Sequence, residues 1–359
     1  MSINLASKYS GKIAEVFTLG SYLVGKTSTA YDFIGVNSVK IYTPTTIAFG
    51  DYSRTATSSR FGTLTEMQDT IQELALSQDK SVNIAIDAAN NDEQMMVKNA
   101  GKMLQLETNE QLVPMVDKYA FNKIVQNAGT IDTIAAAPTK STIVAAILDG
   151  VQSLDDAGVP ADGRYIFITG YAYKFLLQAA EFLALDSIGS KAYTKGVVGE
   201  ISGIPVIKVP TSYIPTNCYF AIWHNSAVVM PLRPKTARIL TESENIDGAI
   251  LQLHYRYDAF VLGARATGVY ACVLAANQCA APTNVYENTG DTVTVTSSAA
   301  TSIYYTTDGS DPRYSPTRTL IASGATFVIS ASCTVKSVAY KTTTGYFTSD
   351  VTTTVVTFS

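Results

Sequence analysis

The sequence predicts an α+β body followed by a separate all-β sandwich. Three observations carry that reading. Short period-two runs flank a polar stretch early in the chain. A long run of helical spacing starts at Asp92. Composition then changes near Ala280, beyond which Ser and Thr supply about two-fifths of the residues and β-branched runs alternate with turns.

Residues 1–36 mix Gly, Ser and Lys with isolated apolar positions (Ile13, Val16, Phe17, Leu19) and read as an arm that partners must order. Val39 and Ile41 alternate with Lys40 and Tyr42, and Val82, Ile84 and Ile86 alternate with Asn83, Ala85 and Asp87, marking strands with one buried face. Between them, residues 50–62 are polar and Gly-flanked, with Tyr52 and Phe61 as the large apolar side chains. Together these predict a long two-stranded loop with a mobile tip. From Asp92, Met96, Ala100, Met103 and Leu104 recur at helical spacing, as do Leu112, Met115, Val116 and Tyr119, as far as about Asn127. Pro114 should kink or split that helix. Gly129 is a plausible C-cap.

Residues 139–157 read as a second helix, with Ile143, Val144, Ile147, Leu148 and Val151 on one face. A short apolar strand at 165–169 and a helix over 171–185 follow, then strands at 204–209, 218–223 and 227–230. Two alternating runs within 236–262 flank a turn at Asp247 and Gly248, and 269–274 is a last buried strand. In the tail, strands are expected at 292–296, 302–306, 326–330, 334–340 and 351–358, enough for a small antiparallel sandwich. Residues 278–282 read as a short linker to an independent domain.

The bulk numbers fit a protein that buries its surface against neighbours. Of 359 residues, 47% are apolar and only 16% charged, so little charge needs desolvation at an interface. A net charge of −4 argues against gripping nucleic acid through a basic face. The N-terminus lacks the apolar core of a signal peptide, and no window is long and apolar enough for a bilayer, so a soluble product of a cytoplasm is expected. Cys218, Cys272, Cys279 and Cys333 form no CxxC pair, and His224 and His254 are the only histidines. No zinc site is visible, and buried thiols are expected rather than bridges.

The order of arm, extended loop, long helix and α/β domain resembles the HK97-like major capsid fold of bacteriophages. The stretches that carry the resemblance are Ile84–Ile86 and Asp87 running into the long helix, which ends around Val116-Asp117-Lys118-Tyr119; Gly163-Arg164-Tyr165-Ile166-Phe167-Ile168 before a helix near Tyr171; and the glycine-punctuated run 196–210, GVVGEISGIPVIKVP. The resemblance implies an N-terminal arm (1–36), an E-loop with flanking strands (37–91), a P-domain spine helix (92–138), an A-domain (139–235), P-domain sheet strands and a return strand (236–277), a linker (278–282) and an immunoglobulin-like domain (283–359). That last domain rests on a second resemblance. Ile303-Tyr304-Tyr305-Thr306-Thr307-Asp308-Gly309-Ser310-Asp311-Pro312, continued by Thr334-Val335-Lys336-Ser337-Val338-Ala339, is similar to the C-terminal immunoglobulin-like domain of chitobiases and hexosaminidases.

The capsid resemblance implies a virion protein, made in a bacterial host cytoplasm, that assembles with itself as hexamers and pentamers around double-stranded DNA. No long charged helical segment precedes the arm, so a separate scaffolding protein is implied, with a portal as a further assembly partner. Packed genome inside would place the immunoglobulin-like domain outside, where Tyr304 or Tyr305, Tyr314, Tyr340 and Tyr346 are candidates for exposure and for stacking on external glycans. No membrane partner and no cofactor are expected. Nothing near Lys40 or Lys80 marks a partner for a covalent cross-link, so non-covalent assembly is expected.

No catalytic, cofactor-binding or metal-binding residue is assigned. Asp308 and Asp311 lie in Asp-Gly and Asp-Pro turns, and a calcium cage needs more oxygen ligands. His224 has no nucleophile named beside it. Glu242 and Glu244 could share a strand face as paired carboxylates, but no substrate cleft is legible. The glycines of 196–203 lack the Lys-Ser/Thr of a phosphate-binding loop, and they serve a tight loop in which Gly199 and Gly203 are expected to need positive φ. Lys8, Lys12 and Lys26 read as solvated surface rather than a DNA contact. The chain therefore reads as a non-enzyme. The alternative, a carbohydrate-binding or glycoside-hydrolysing protein with an accessory module, explains the tail but not the first 276 residues.

Overall fold

The structure, a computed structural model, describes residues 20–31, 33, 38–55, 57–67, 69–93, 99–179, 197–241, 247–298, 300–343 and 345–357. Lys8, Lys12, Met96, Gly196, Glu242, Glu244 and the expected helix beyond Ala179 lie outside the described residues. The start of the described chain is held on the body. Asp117, buried in a helix, accepts hydrogen bonds from Ser21 Oγ (2.8 Å) and from the Tyr22 amide (2.8 Å), Leu23 is buried, and Ser28 N–H donates to Val228 O at 2.7 Å. Burial pushes the Asp117 carboxyl up, against the lowering effect of those two hydrogen bonds.

Strand β1 (Ser38–Pro44) pairs antiparallel with β2 (Asp69–Ala75) to make an extended hairpin. The sequence reading takes 39–42 and 82–87 as the two flanks of one loop. The return strand is instead 69–75, whose pattern DTIQELA has too few apolar residues to read as a strand. Residues 82–87 belong to β3 (Gln78–Asp87), which enters a different sheet.

The helical run divides into α1 (Ala88–Glu93), α2 (Ala100–Glu107) and α3 (Val113–Gln126). Between α2 and α3 the backbone widens into a π turn over Thr108–Leu112, where the Val113 N–H reaches Thr108 O. Pro114 is the cause. It has no N–H to offer residue 110, so it sits in the first turn of α3, where that donor is not needed.

A six-stranded mixed sheet forms the centre of the body. Its strands are β4 (Thr130–Ile134), β5 (Arg164–Thr169), β6 (Val197–Ile201), β7 (Ile204–Val209), β8 (Cys218–His224) and, last in the chain, a strand at Val269–Leu274. Helices α4 (Ile143–Asp156) and α5 (Gly170–Leu176) cover one face. Helix α3 covers the other through Ala120, Phe121, Ile124 and Val125. The strands therefore bury both faces. Phe167, Ala221 and Trp223 point towards α3, while Ile166, Ile168, Phe220 and Ile222 point towards α4. This explains why 165–169 and 218–223 read as unbroken apolar runs rather than alternating ones. Each of the buried Ile and Phe side chains among them contributes about 1.5–3 kcal/mol.

A separate three-stranded antiparallel sheet carries the alternating pattern. Short β9 (Val228–Val229) leads to β10 (Leu232–Leu240), which pairs with β11 (Gly248–Tyr257), and β11 pairs with β3. Then β12 (Phe260–Val261) returns to β9, and β13 (Val269–Leu274) completes the central sheet in the order β4-β13-β8-β5-β7-β6.

The tail is a seven-stranded sandwich. One sheet holds β14 (Thr283–Glu287), β15 (Thr292–Thr296) and β18 (Ala325–Val328). The other has the order β17 (Thr319–Ile321), β16 (Ser302–Thr306), β19 (Cys333–Tyr340) and β20 (Thr352–Val356). Val293, Val295, Ile303, Val335, Ala339 and Val356 form its core. Five of the strands are legible in the sequence; β14 and β17 are not.

The glycines of 199–203 serve two different purposes. Ser202 (φ 53°) and Gly203 (φ 75°) form the two-residue turn between β6 and β7, with the paired positive φ of a type I′ hairpin. Gly199 is not in that region of φ, contrary to expectation; it lies at the register shift where β6 skips a residue against β7. Gly203→Ala is therefore expected to cost about 1–2 kcal/mol of stability, read as a lowered denaturation midpoint. An unchanged midpoint would contradict the turn assignment.

Candidate assembly interface

The hairpin is fixed at its base and bare at its tip. At the base, Leu74 is buried against Phe33, Val229 and Leu262. The Gln72 amide donates to Val261 O (2.9 Å) and accepts from the Gly263 N–H (2.8 Å), a two-way clamp on the backbone. Asp258 accepts from the Ser77 N–H (2.9 Å) and from the Tyr119 hydroxyl (3.0 Å), and burial pushes that phenol up to about 12. Beyond Pro44 the large apolar residues face solvent: Phe49 is fully exposed, Phe61 is 91% exposed and Leu64 is 99% exposed, with Ile47, Tyr52 and Met67 also open. Within the tip, Tyr52 meets Phe61 edge-on with ring centroids 5.0 Å apart, and Ser53 N–H donates to Arg60 O at 3.0 Å.

Exposed aromatic and aliphatic side chains on an extended hairpin mark a candidate surface for a partner. Tyr52 and Phe61 stand out in the sequence of the polar stretch, whereas Phe49, Leu64 and Met67 lie just outside it and carry no signal of exposure. Amide hydrogen exchange over residues 50–62 is expected to be fast in the free subunit and slowed in an assembled particle. Equal exchange in both states would contradict a role for the tip in assembly.

The candidate chemical groups have structural partners. His224 Nδ1 accepts the Ser226 N–H (3.1 Å) and bonds Ser226 Oγ (2.8 Å), capping a short turn after β8. His254 and Arg256 both hold Asp79 across the β3–β11 pair, and the His254 hydrogen bond, then that of Arg256, keeps the Asp79 carboxyl below its usual range. Asp308 accepts from Ser310 N–H (2.9 Å) and Thr317 Oγ1 (2.7 Å), the turn expected for it. Asp311 pairs with Arg313 at 2.8 Å. Lys26 donates to Tyr22 O at 2.9 Å. Cys218 and Cys272 are buried free thiols, both pushed up by desolvation, Cys272 to about 12.

A cleft of about 940 Å³ lies between β2, α3 and the tail, lined by Glu73, Lys123, Tyr304, Arg318 and Tyr340 among others; among the described residues, no histidine or cysteine faces it. Among the described residues, no three His, Cys, Asp or Glu side chains are grouped to hold a metal ion. No described helix is long and apolar enough to cross a membrane.

The tail tyrosines depart from expectation. Tyr314 does not face outwards: its hydroxyl donates to Asn127 O at 2.6 Å, at the end of α3. The Tyr340 hydroxyl is also buried, has no hydrogen-bond partner among the described residues, and is pushed up to about 12 by desolvation. Tyr304 packs edge-on against Tyr340 (5.6 Å) with Arg318 over its ring at 4.7 Å. Lys341 sits over the Tyr346 ring at 3.6 Å, and Tyr305 stacks on Phe327 at 4.0 Å. Each of these contacts takes up one face of a ring that a sugar would otherwise stack on. Period-two alternation tells which face of a strand is apolar, but not what covers the other face.

Comparison with known proteins places this geometry. The family model called Fn3 associated matches residues 293–356, in keeping with the immunoglobulin-like sandwich seen there. No curated protein sequence matches the chain. Among solved structures, one from Mycobacterium phage Che8 superposes with a TM-score of 0.61 at 18% identity, covering 76% of this chain and 98% of that one. The capsid structure of cyanophage P-SCSP1u gives 0.60 at 15% identity, covering 76% and 93%. The mature capsid of bacteriophage PhiM1 gives 0.58 at 13% identity, covering 76% and 92%. The body has the HK97-like fold of phage capsid structures, and an immunoglobulin-like domain follows it.

Proposed function

We propose that the chain is a major capsid protein, which self-assembles as hexamers and pentamers into an icosahedral shell around phage DNA. One observation carries this reading: the body matches capsid chains over almost their whole length, 93% for P-SCSP1u and 92% for PhiM1. The exposed hairpin supports it. In this reading residues 1–36 are the arm, 37–91 the E-loop with its flanks, 92–138 the spine, 139–235 the A-domain, 236–277 the returning P-domain strands and 283–359 a domain displayed outside. The protein then acts in the virion as a structural component rather than an enzyme, with a scaffolding protein and a portal as assembly partners. The apolar tip of one copy lies on a neighbour, which exchanges water-exposed Phe and Leu for a buried contact repeated at every position of the shell.

Sedimentation velocity of the purified chain, with and without its scaffolding protein, tests the proposal. Particles or capsomers of hexamer and pentamer size are expected. A species that stays monomeric at every concentration, with scaffolding protein present, would overturn it.

A further inference from the structure

We propose that the immunoglobulin-like domain is a permanent brace on the C-terminal end of α3, built into the body rather than tethered to it. A helix ends with carbonyls that have no partner inside the helix, here that of Gln126, and the carbonyls of Asn127, Ala128 and Gly129 follow it before β4 begins. The tail supplies the donors. Thr348 Oγ1 donates to Gln126 O (2.7 Å), Tyr314 to Asn127 O (2.6 Å), and Arg313 Nη1 to Ala128 O (2.6 Å) and Gly129 O (3.2 Å). Four consecutive carbonyls of the body are thus met by three tail side chains.

The contact is two-way. The Gln126 side-chain amide donates to Tyr346 O (2.7 Å) and accepts from the Thr348 N–H (3.1 Å), as a neighbouring strand would. Phe347, between them, is buried in the body core rather than in the sandwich core. Its backbone N–H donates to Asn277 O (2.8 Å) and its carbonyl accepts from the Cys279 N–H (3.0 Å), so the segment expected to be a free linker is stitched to the tail. Gly263 admits the docking loop: a Cβ there would meet Tyr314 Cβ at 3.0 Å.

The charge at the contact is matched as well. Arg313 brings a cation to the negative end of the α3 dipole, and the Asp311 carboxylate neutralises it at 2.8 Å. Burial works against that cation, but Tyr314 and the hydrogen-bonded Asp311 together raise its pKa above the ordinary guanidinium value. The Asp-Pro-Arg-Tyr segment of the tail signature is therefore its docking loop. The brace does not depend on the shell reading, because it acts within one chain. It runs against the expectation of an independent domain on a short linker.

Calorimetry and hydrogen exchange on the full chain test it, using Arg313→Ala and Phe347→Ala. The unmodified chain is expected to melt in one cooperative transition. Arg313→Ala is expected to speed exchange in the last turn of α3 by about tenfold or more, because it removes charge-assisted hydrogen bonds, while β15, β16 and β19 stay protected. Phe347→Ala is expected to lower the body transition. Two separate transitions, with the body melting point and α3 exchange unchanged in both variants, would overturn the brace. If Phe347→Ala fails to fold, Arg313→Ala decides alone.

Discussion

Replacing Phe49, Phe61 and Leu64 together with aspartate is expected to abolish particle formation and leave a folded, soluble subunit. The three side chains are open to solvent in the isolated chain, so folding does not draw on them. Burying each on a neighbour is worth about 1.5–3 kcal/mol, or some 5 kcal/mol or more per copy for the three. Losing 5 kcal/mol from one contact weakens it by more than about a thousandfold, and every copy in a shell carries the same loss. Aspartate adds the cost of desolvating a charge. The measurement is the yield of sedimenting particles beside the thermal midpoint of the subunit. Normal yield would mean that the tip is not an assembly contact; a collapsed midpoint would mean that it serves folding instead.

Gly129→Ala is expected to destabilise the body by about 3 kcal/mol or more, a shift of several degrees in the thermal midpoint. A Cβ at this position would lie 2.0 Å from Ala266 O, 2.3 Å from Ala266 C and 2.8 Å from Thr267 N. All three atoms belong to backbone, so no side chain can swing aside. The chain leaving α3 for β4 crosses the turn Gly263–Gly268 here, just before that turn feeds β13 into the central sheet. Gly20→Ala is the control, since nothing lies within 4 Å of its Cβ position and its φ is not positive. Equal midpoints for the two variants would remove the close-approach account of Gly129.

Gly129 also shows how far the sequence can be read. Its position after a helical run suggests a C-cap glycine, and a C-cap was the expectation. The C-cap is Asn127, at φ −110°, and Gly129 is needed because another segment passes over it. A local pattern does not report on a contact with a chain segment 137 residues away. The same limit explains β2, whose acidic and polar residues give it no alternation, and β4 and β14, short strands defined by their partners. Elements with strong periodicity were legible: α3 and α4, the doubly buried β5 and β8, and the alternating β10 and β11. The composition break near Ala280 correctly marks a change of architecture, but it says nothing about mechanical independence, because Arg313, Tyr314 and Phe347 look like ordinary strand and turn residues until the end of α3 is beside them. The candidate interface was half legible, since the hairpin tip could be located but its exposed apolar residues could not be told from buried ones.

The decisive measurement is a cryo-electron reconstruction of the particle formed by the full chain. A closed icosahedral shell built from hexamers and pentamers is expected, in which Phe49, Phe61 and Leu64 of each copy are buried against an adjacent copy and the immunoglobulin-like domain lies on the outer surface, docked on α3 of its own chain. Discrete small oligomers with the hairpin tip still in solvent would contradict it.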